Sequence, residues 1–410
     1  MKKYSLLYIM LCGWLFGSCD LLSPDDVVNP NVVESDFAHS TDAMKTWVNG
    51  TNASFGTCIS RFAELTGLLS DDLYNNSSRS SKTFDVLDIH YSDSEISSLT
   101  THIGKMIEMA DFGLETVAAA DASTTDAMRF NLYYVKAIAY LLASENFVAL
   151  PKEAQGKVLT SSELAAEALS VLEEAAAVAS SSRDKALVAL LKARAYRLLG
   201  DAAQAQTQAQ TAILTDSLLL VQAEFDDING FSNSVQEYVS EQLFSVLPRL
   251  AAQAVKCPQS GLYNQPIAVA KIEEAHLILA EICVAGNDLS AAKGHLADLL
   301  STVQTRADST VSTLSVSATD IAAANTQDEL YELVYLLRQE TFFAEGRRSA
   351  DMGIRLPMSE VEFVTQGNLP ESYAKTLIPA YLDSIRTAID ARSDMNRLMT
   401  AAKFNLFPFE

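Results

Sequence analysis

Leu187–Asp216 reads LVALLKARAYRLLGDAAQAQTQAQTAILTD. Ala193, Tyr196, Ala205, Ala209 and Ala212 recur at helical spacing on either side of Gly200-Asp201. Small alanines on facing helices let the two axes approach closely. Gly200 can take the left-handed conformation that ends the first helix. Asp201 is placed to cap the second, with Gln204 three residues later completing a capping box. The stretch therefore predicts two antiparallel helices joined by a tight turn.

This is the spacing of a tetratricopeptide helical hairpin. A second copy starts at Glu274, where Ala280, Gly286, Asn287 and Ala291 echo the same turn, and Ala137, Tyr140 and Ala143 fit the first helix of an earlier one. Hairpins over about 126–215 and 270–305 would stack and bury a continuous core. Apolar faces of helical period also fall near 40–70, 95–120, 126–148, 161–180, 184–199, 202–215, 270–285, 288–305, 327–346 and 379–403. The expected fold is mostly α. Trp47, Tyr133, Tyr134, Tyr140 and Cys283 sit in these patterns and read as core. Two segments interrupt the pattern: a polar, aromatic one at 71–92, and one at 216–268 carrying Asn229-Gly230, Pro248, Pro258-Gln259-Ser260-Gly261 and Pro266.

The N-terminus carries a different kind of signal. Lys2-Lys3 precede an apolar run from Tyr4 to Trp14, too short to span a bilayer, and Gly17-Ser18 precede Cys19. This is the layout of a bacterial lipoprotein signal. It predicts a leader at 1–18, lipid attachment at Cys19, a polar tether at 19–35 and a single helical domain at 36–410. Each buried CH₂ of an acyl chain contributes about 0.8 kcal/mol, and more than one chain makes anchoring durable. The folded part would then sit outside the cytoplasm, on the membrane through its lipid.

The chain has 410 residues, 49% of them hydrophobic, enough for a large core. Its formal net charge is −22, and loss of Lys2 and Lys3 with the leader takes it to near −24. Such a charge argues against nucleic acid and anionic headgroups as partners. Of the cysteines, Cys58, Cys257 and Cys283 remain after the leader and the lipid site, an odd and scattered set that argues against a disulfide framework.

Catalytic grammar is absent: there is no Gly-x-Ser-x-Gly elbow, no phosphate-cradling Gly-rich loop and no His-Glu-x-x-His. His39, His90, His102, His276 and His295 are scattered without metal-ligand spacing, and His276, in a core pattern, reads as a satisfied interior histidine. Asp71-Asp72 and Asp226-Asp227 read as turn or cap residues. No catalytic residue, cofactor or metal is expected. Sugar binding asks for a flat ring to stack on the C–H face, with amides and carboxylates for the hydroxyls. Two segments offer that mixture. The first holds Tyr74, Asn75, Asn76, Arg79, Phe84 and Tyr91, and the second holds Phe225, Asp226, Asp227, Asn229, Phe231, Asn233, Tyr263, Asn264 and Gln265. The competing structural reading is that these aromatics pin the loops to the helical body.

In the C-terminal third, Glu274-Ala275-His276-Leu277-Ile278-Leu279-Ala280-Glu281, the Gly286-Asn287-Asp288 turn and Thr305-Arg306-Ala307 resemble the hairpin signature of SusD/RagB-type nutrient-uptake lipoproteins. Arg338 to Gly353, with Arg338, Phe342, Phe343, Glu345-Gly346, Arg348 and Asp351, is similar to that family's C-terminal motif. Asn29-Pro30-Asn31, Leu68–Leu73 and Ala137–Pro151 fit as well. The resemblance implies a SusD-like fold, with tetratricopeptide-type hairpins packed against a loop-rich irregular part. It also implies a non-catalytic outer-membrane lipoprotein facing the cell exterior, which captures an oligosaccharide, polysaccharide or other nutrient. Its partner would be a SusC-like TonB-dependent transporter. The motif itself reads as architecture: Glu345 and Arg348, Arg347 and Asp351, and Asp351 and Arg355 can pair along one helix face or across to neighbouring helices. A tetratricopeptide-type envelope scaffold that binds only proteins is the alternative, and a surface glycan hydrolase is a third reading.

Overall fold

A computed structural model describes residues 37–40, 42–70, 72–153, 156–306 and 314–383. The leader at 1–18, Cys19, the tether at 19–35, Asp71 and the expected helix beyond 383 lie outside the described residues. The principal helices are α1 Ala43–Leu69, α2 Ser94–Phe112, α3 Asp126–Asn146, α4 Ser161–Val178, α5 Ser182–Leu198, α6 Ala202–Thr215, α7 Ser234–Ser240, α8 Glu273–Ala285, α9 Leu289–Arg306, α10 Gln327–Thr341 and α11 Glu360–Gln366. Short strands are β1 Leu73–Asn75, β2 Ala149–Pro151, β3 Val158–Thr160, β4 Leu220–Ala223, β5 Phe244–Val246 and β6 Ile267–Lys271. The mostly α architecture follows the helical periodicity.

The hairpins form for the reasons visible in their turns. Gly200 has φ +75° and ends α5. Asp201 caps α6 by accepting the Gln204 N–H at 3.0 Å. The reciprocal bond that closes the expected capping box is made at Thr160/Glu163 and Ser181/Asp184, which start α4 and α5, but not at the exposed Gln204. At the second turn the left-handed residue is Asn287, φ 59°, while Gly286 keeps φ −76°. Ala205, Ala209 and Ala212 are fully buried where α6 lies on its neighbours.

The strands are connectors. β4 follows the first hairpin, β6 precedes the second, and their antiparallel pairing sets the two hairpins side by side. β1 pairs antiparallel with β5, placing Tyr74 opposite Ser245. One large core contains Tyr140 and packs Tyr133, Tyr134 and the half-buried Cys283 at its edge, so Cys283 is not the enclosed residue its pattern suggests. Trp47 is half-buried in a smaller cluster with Phe37 and Phe112, and its indole N–H donates to the Met109 carbonyl at 2.7 Å.

The Arg338–Gly353 motif departs from a single helix. α10 stops at Thr341, Ala344 (φ 58°) and Gly346 (φ 75°) turn the chain, and only Arg348–Asp351 is helical again. Of the two arrangements the sequence allows for these charges, along one helix face or across to neighbouring helices, the chain takes the second. Arg338 grips Asp351 through two bonds of 2.8 Å, and Arg197 of α5 approaches the same carboxylate at 3.5 Å. Arg197 binds Glu281 of α8 at 2.6 Å. Arg347 pairs with Glu274 of α8, and Arg194 donates to Glu145 of α3 at 2.6 Å. Four arginines thus meet four carboxylates, all nearly inaccessible, in a layer that ties both hairpins to the C-terminal motif. Phe342 lies among this charge, its ring about equidistant from Arg338 and Arg347 at 5.3 Å and Lys271 at 5.2 Å. Burial alone would raise both acids, but Arg194 and Arg347 hold the Glu145 carboxyl at about 2, and Arg338 and Arg197 do the same for Asp351.

Candidate functional site

The 71–92 and 216–268 segments meet on one surface. The β1–β5 ladder brings them together, extended by Asn76 N–H to the Leu243 carbonyl (2.9 Å) and Leu247 N–H to the Asp72 carbonyl (3.3 Å). Asn76 then donates its amide to Ser245 Oγ at 2.6 Å and to the Gln242 carbonyl at 3.2 Å. Arg79 stacks over the Tyr238 ring of α7, 4.1 Å from its centroid, and reaches the phenolic oxygen at 3.1 Å.

Helix α7 is the platform. Asn233 caps it, accepting the Gln236 N–H at 3.1 Å, and Ser234 anchors it to α1 through Ser60 Oγ at 2.7 Å. Beneath it, Arg61 of α1 bridges Glu64 and Glu95, and Ser80 donates to Glu95 at 2.5 Å. The second segment closes over the far end. Asn233 N–H donates to the Tyr263 carbonyl at 2.7 Å, and Tyr263 OH meets Glu241 at 3.3 Å. Burial and then the neighbouring Glu241 push the Glu237 carboxyl above its ordinary range. Gly56 of α1 permits the close approach of this segment: a Cβ there would lie 3.0 Å from the Glu224 carbonyl and 3.7 Å from the Phe225 ring.

The individual residues divide. Asn76, Arg79 and Asp226 are exposed, as are Phe231 at 40% and its neighbour Ile228 at 84%. Tyr263 is half-buried on this face. Asp226 pairs with Phe231 in a tight antiparallel bridge that presents the ring outward. Asn229 lends its backbone to the turn Asp227–Asn229, and its side chain lies outside the described residues. Tyr74 and Phe225 are half-buried against the core. Phe84 is fully buried and Asn75 nearly so, its amide donating to Ser81 and its carbonyl oxygen accepting from the Ser77 N–H. Both hold the first loop in shape and do not reach the surface. Sequence reasoning missed Tyr238, Glu237 and Glu241, because α7 hides inside an apparently irregular stretch; the Asn233-Ser234 start with Glu237 was its one local sign.

Tyr91 stands apart. It packs edge-on against Phe363 of α11 (5.9 Å) in an open groove of about 550 Å³ that also holds His90, Glu371 and Lys375. A smaller cavity of about 50 Å³ lies by β6 and the C-terminal motif. There Lys256 and Lys271 both bind Glu345, at 2.9 and 2.6 Å. Desolvation lowers the Lys271 ammonium to about 8.

The histidines do not stay scattered. His276 of α8 and His295 of α9 are neighbours across the second hairpin, ring centroids 6.3 Å apart. His276 is not the satisfied interior residue its pattern suggests: its Nδ1 is buried without a hydrogen-bond partner.

No protein-family model matches the chain, and no curated protein matches it. Solved structures do. A SusD superfamily protein from Bacteroides fragilis superposes with a TM-score of 0.62 at 16% identity, covering 80% of this chain and 99% of that one. A SusD superfamily protein from Bacteroides vulgatus gives 0.59 at 16% identity, over 80% and 97%. A SusD-like carbohydrate binding protein from Bacteroides vulgatus gives 0.56 at 15% identity, over 75% and 82%. At such identities the likeness establishes the fold. Among the described residues no helix is long and apolar enough to cross a membrane.

Proposed function

We propose that this chain, which has the fold of the SusD superfamily, is a non-catalytic glycan-capturing lipoprotein. It would be held at the outer membrane by lipid on Cys19 and would deliver its ligand to a SusC-like TonB-dependent transporter. The observation that carries the reading is the meeting of two polar, aromatic loops on one exposed face over α7. A structure with this fold bears the name of a carbohydrate binding protein. The face offers what a neutral sugar needs: rings at Phe231 and Tyr263, an amide at Asn76, the Arg79 guanidinium and carboxylates at Asp226, Glu237 and Glu241. The net charge of −22 favours a neutral ligand over an anionic one.

The test is migration of the full chain through native gels containing a soluble α-glucan, xylan or β-mannan. Retardation by one of them supports the reading. Arg79→Ala and Tyr263→Ala should each weaken that binding about tenfold, with the melting temperature lowered by only about 1–2 °C, because each gives up only a surface contact, to Tyr238 and to Glu241. Tyr74→Ala should lower stability as well, since its ring also packs against the core. Parent affinity in Arg79→Ala and Tyr263→Ala would remove the face from the proposal. Mild-detergent recovery of the lipidated protein with one large TonB-dependent barrel tests the delivery step; recovery with envelope assembly factors instead would favour the scaffold alternative.

A further inference from the structure

Helices α8 and α9 place His276, His295 and Asp298 so that one ligand atom from each lies within 4.8 Å of the others. The register of the hairpin explains the meeting. His276 lies eleven residues before Asn287 at the turn, and Asp298 eleven after it. Residues equidistant from a tight turn face each other in an antiparallel pair. His295 precedes Asp298 by three residues and shares its helix face.

Two further observations point to a ligand. His276 is 5% exposed, and the Nδ1 atoms of both His276 and His295 are buried with no hydrogen-bond partner. Buried polar atoms are nearly always satisfied, so two adjacent exceptions call for an explanation. Asp298 is exposed and keeps the trio open to solvent from one side.

We propose that His276, His295 and Asp298 form a binding site for a borderline divalent transition metal, zinc being the best fit, that staples the second hairpin. Two imidazoles and one carboxylate suit Zn²⁺, Co²⁺ or Ni²⁺, whereas Ca²⁺ and Mg²⁺ take oxygen ligands. Three atoms no more than 4.8 Å apart all lie within about 2.8 Å of a common point. Zinc bonds to nitrogen and oxygen run at about 2.0–2.2 Å, so each ligand atom moves less than about 1 Å. A water completes four-coordination on the Asp298 side.

The experiment is titration of the full chain with ZnCl₂ and with CoCl₂, followed by calorimetry, thermal melts and visible absorption. Expected are one saturable equivalent and a melting temperature raised by about 3–5 °C at a hundredfold excess over Kd. Bound Co²⁺ should give the strong visible bands of a four-coordinate ion, without the near-ultraviolet thiolate band that Cys283 would add. CaCl₂ should do none of this. Asp298→Asn and His295→Gln should each weaken Zn²⁺ binding by at least about tenfold, since even outer-shell changes cost that much. Absence of saturable binding overturns the proposal, as does parent-like binding in these two variants. Both positions are at least partly exposed, so the test does not depend on His276→Gln folding.

Discussion

At the scale of single residues, the C-terminal motif is best tested at Asp351. Its carboxylate faces Arg338 and Arg197 in a site with almost no solvent. Asp351→Asn keeps the shape and removes the charge, leaving two buried guanidiniums short of a partner. Breaking a buried pair in this way costs about 3–5 kcal/mol, and the urea midpoint at pH 7 should fall accordingly. The pH dependence has a definite sign. A carboxylate whose folded pKa lies below its unfolded value stabilises the native state above the unfolded value, and that stabilisation is lost as pH falls through the folded one. Asp351 and Glu145 sit at about 2 when folded, against ordinary values of 3.8 and 4.5. The parent should therefore lose stability between about pH 4.5 and 2, while the gap between parent and Asp351→Asn narrows across the same interval. A constant gap, read by urea titrations at several pH values, would mean that Asp351 is not held ionised by its arginines.

At the scale of elements, the two hairpin turns solve one problem with different residues. Gly200 carries φ +75° at the first, and Asn287 φ 59° at the second. Asn tolerates the left-handed region better than other side chains, and glycine better still. Asn287→Gly should be neutral or slightly stabilising, Asn287→Ala should cost about 1 kcal/mol, and Asp201→Ala should cost about 1 kcal/mol through loss of its cap on α6. Thermal melts of the three variants rank them, and an Asn287→Gly variant less stable than Asn287→Ala would contradict the account. These turns were legible because their chemistry is local: a glycine or asparagine, an aspartate and an alanine stripe lie within a few residues. The end of α10 at Thr341 was not legible, because Phe342 continues the apolar period and the break comes from Glu345 turning towards Lys256 and Lys271 on distant segments. The His276–His295 contact was missed for a related reason, since their separation reads as scatter until the hairpin register is applied.

At the scale of the whole molecule, the candidate face depends on a pairing between residues far apart in sequence, with Tyr74 opposite Ser245. No local signal announces such a ladder, which is why the sequence suggested two separate clusters while the structure supplies one face. It is also why Phe84 and Asn75, polar-loop residues by pattern, turn out to lie inside. The ladder is a point where the face can be broken without replacing any of the proposed ligand side chains, although Ser245 Oγ also accepts from the Asn76 amide. Ser245 is in phase with the Asn76-to-Leu243 and Leu247-to-Asp72 bonds, so its own N–H faces β1. Ser245→Pro removes that donor and crowds the partner strand. The hairpins are built from other segments and joined by the β4–β6 pair, so far-UV circular dichroism should stay close to the parent. Binding to whichever polysaccharide retards the parent should fall further than in Arg79→Ala or Tyr263→Ala alone, because both loops lose their mutual register. Amide exchange should accelerate at 73–76 and 244–246 and remain slow in α5 and α8. Parent-like binding together with that local exchange would show that the loops act separately, and would shift attention to the Tyr91–Phe363 groove, which does not use the ladder.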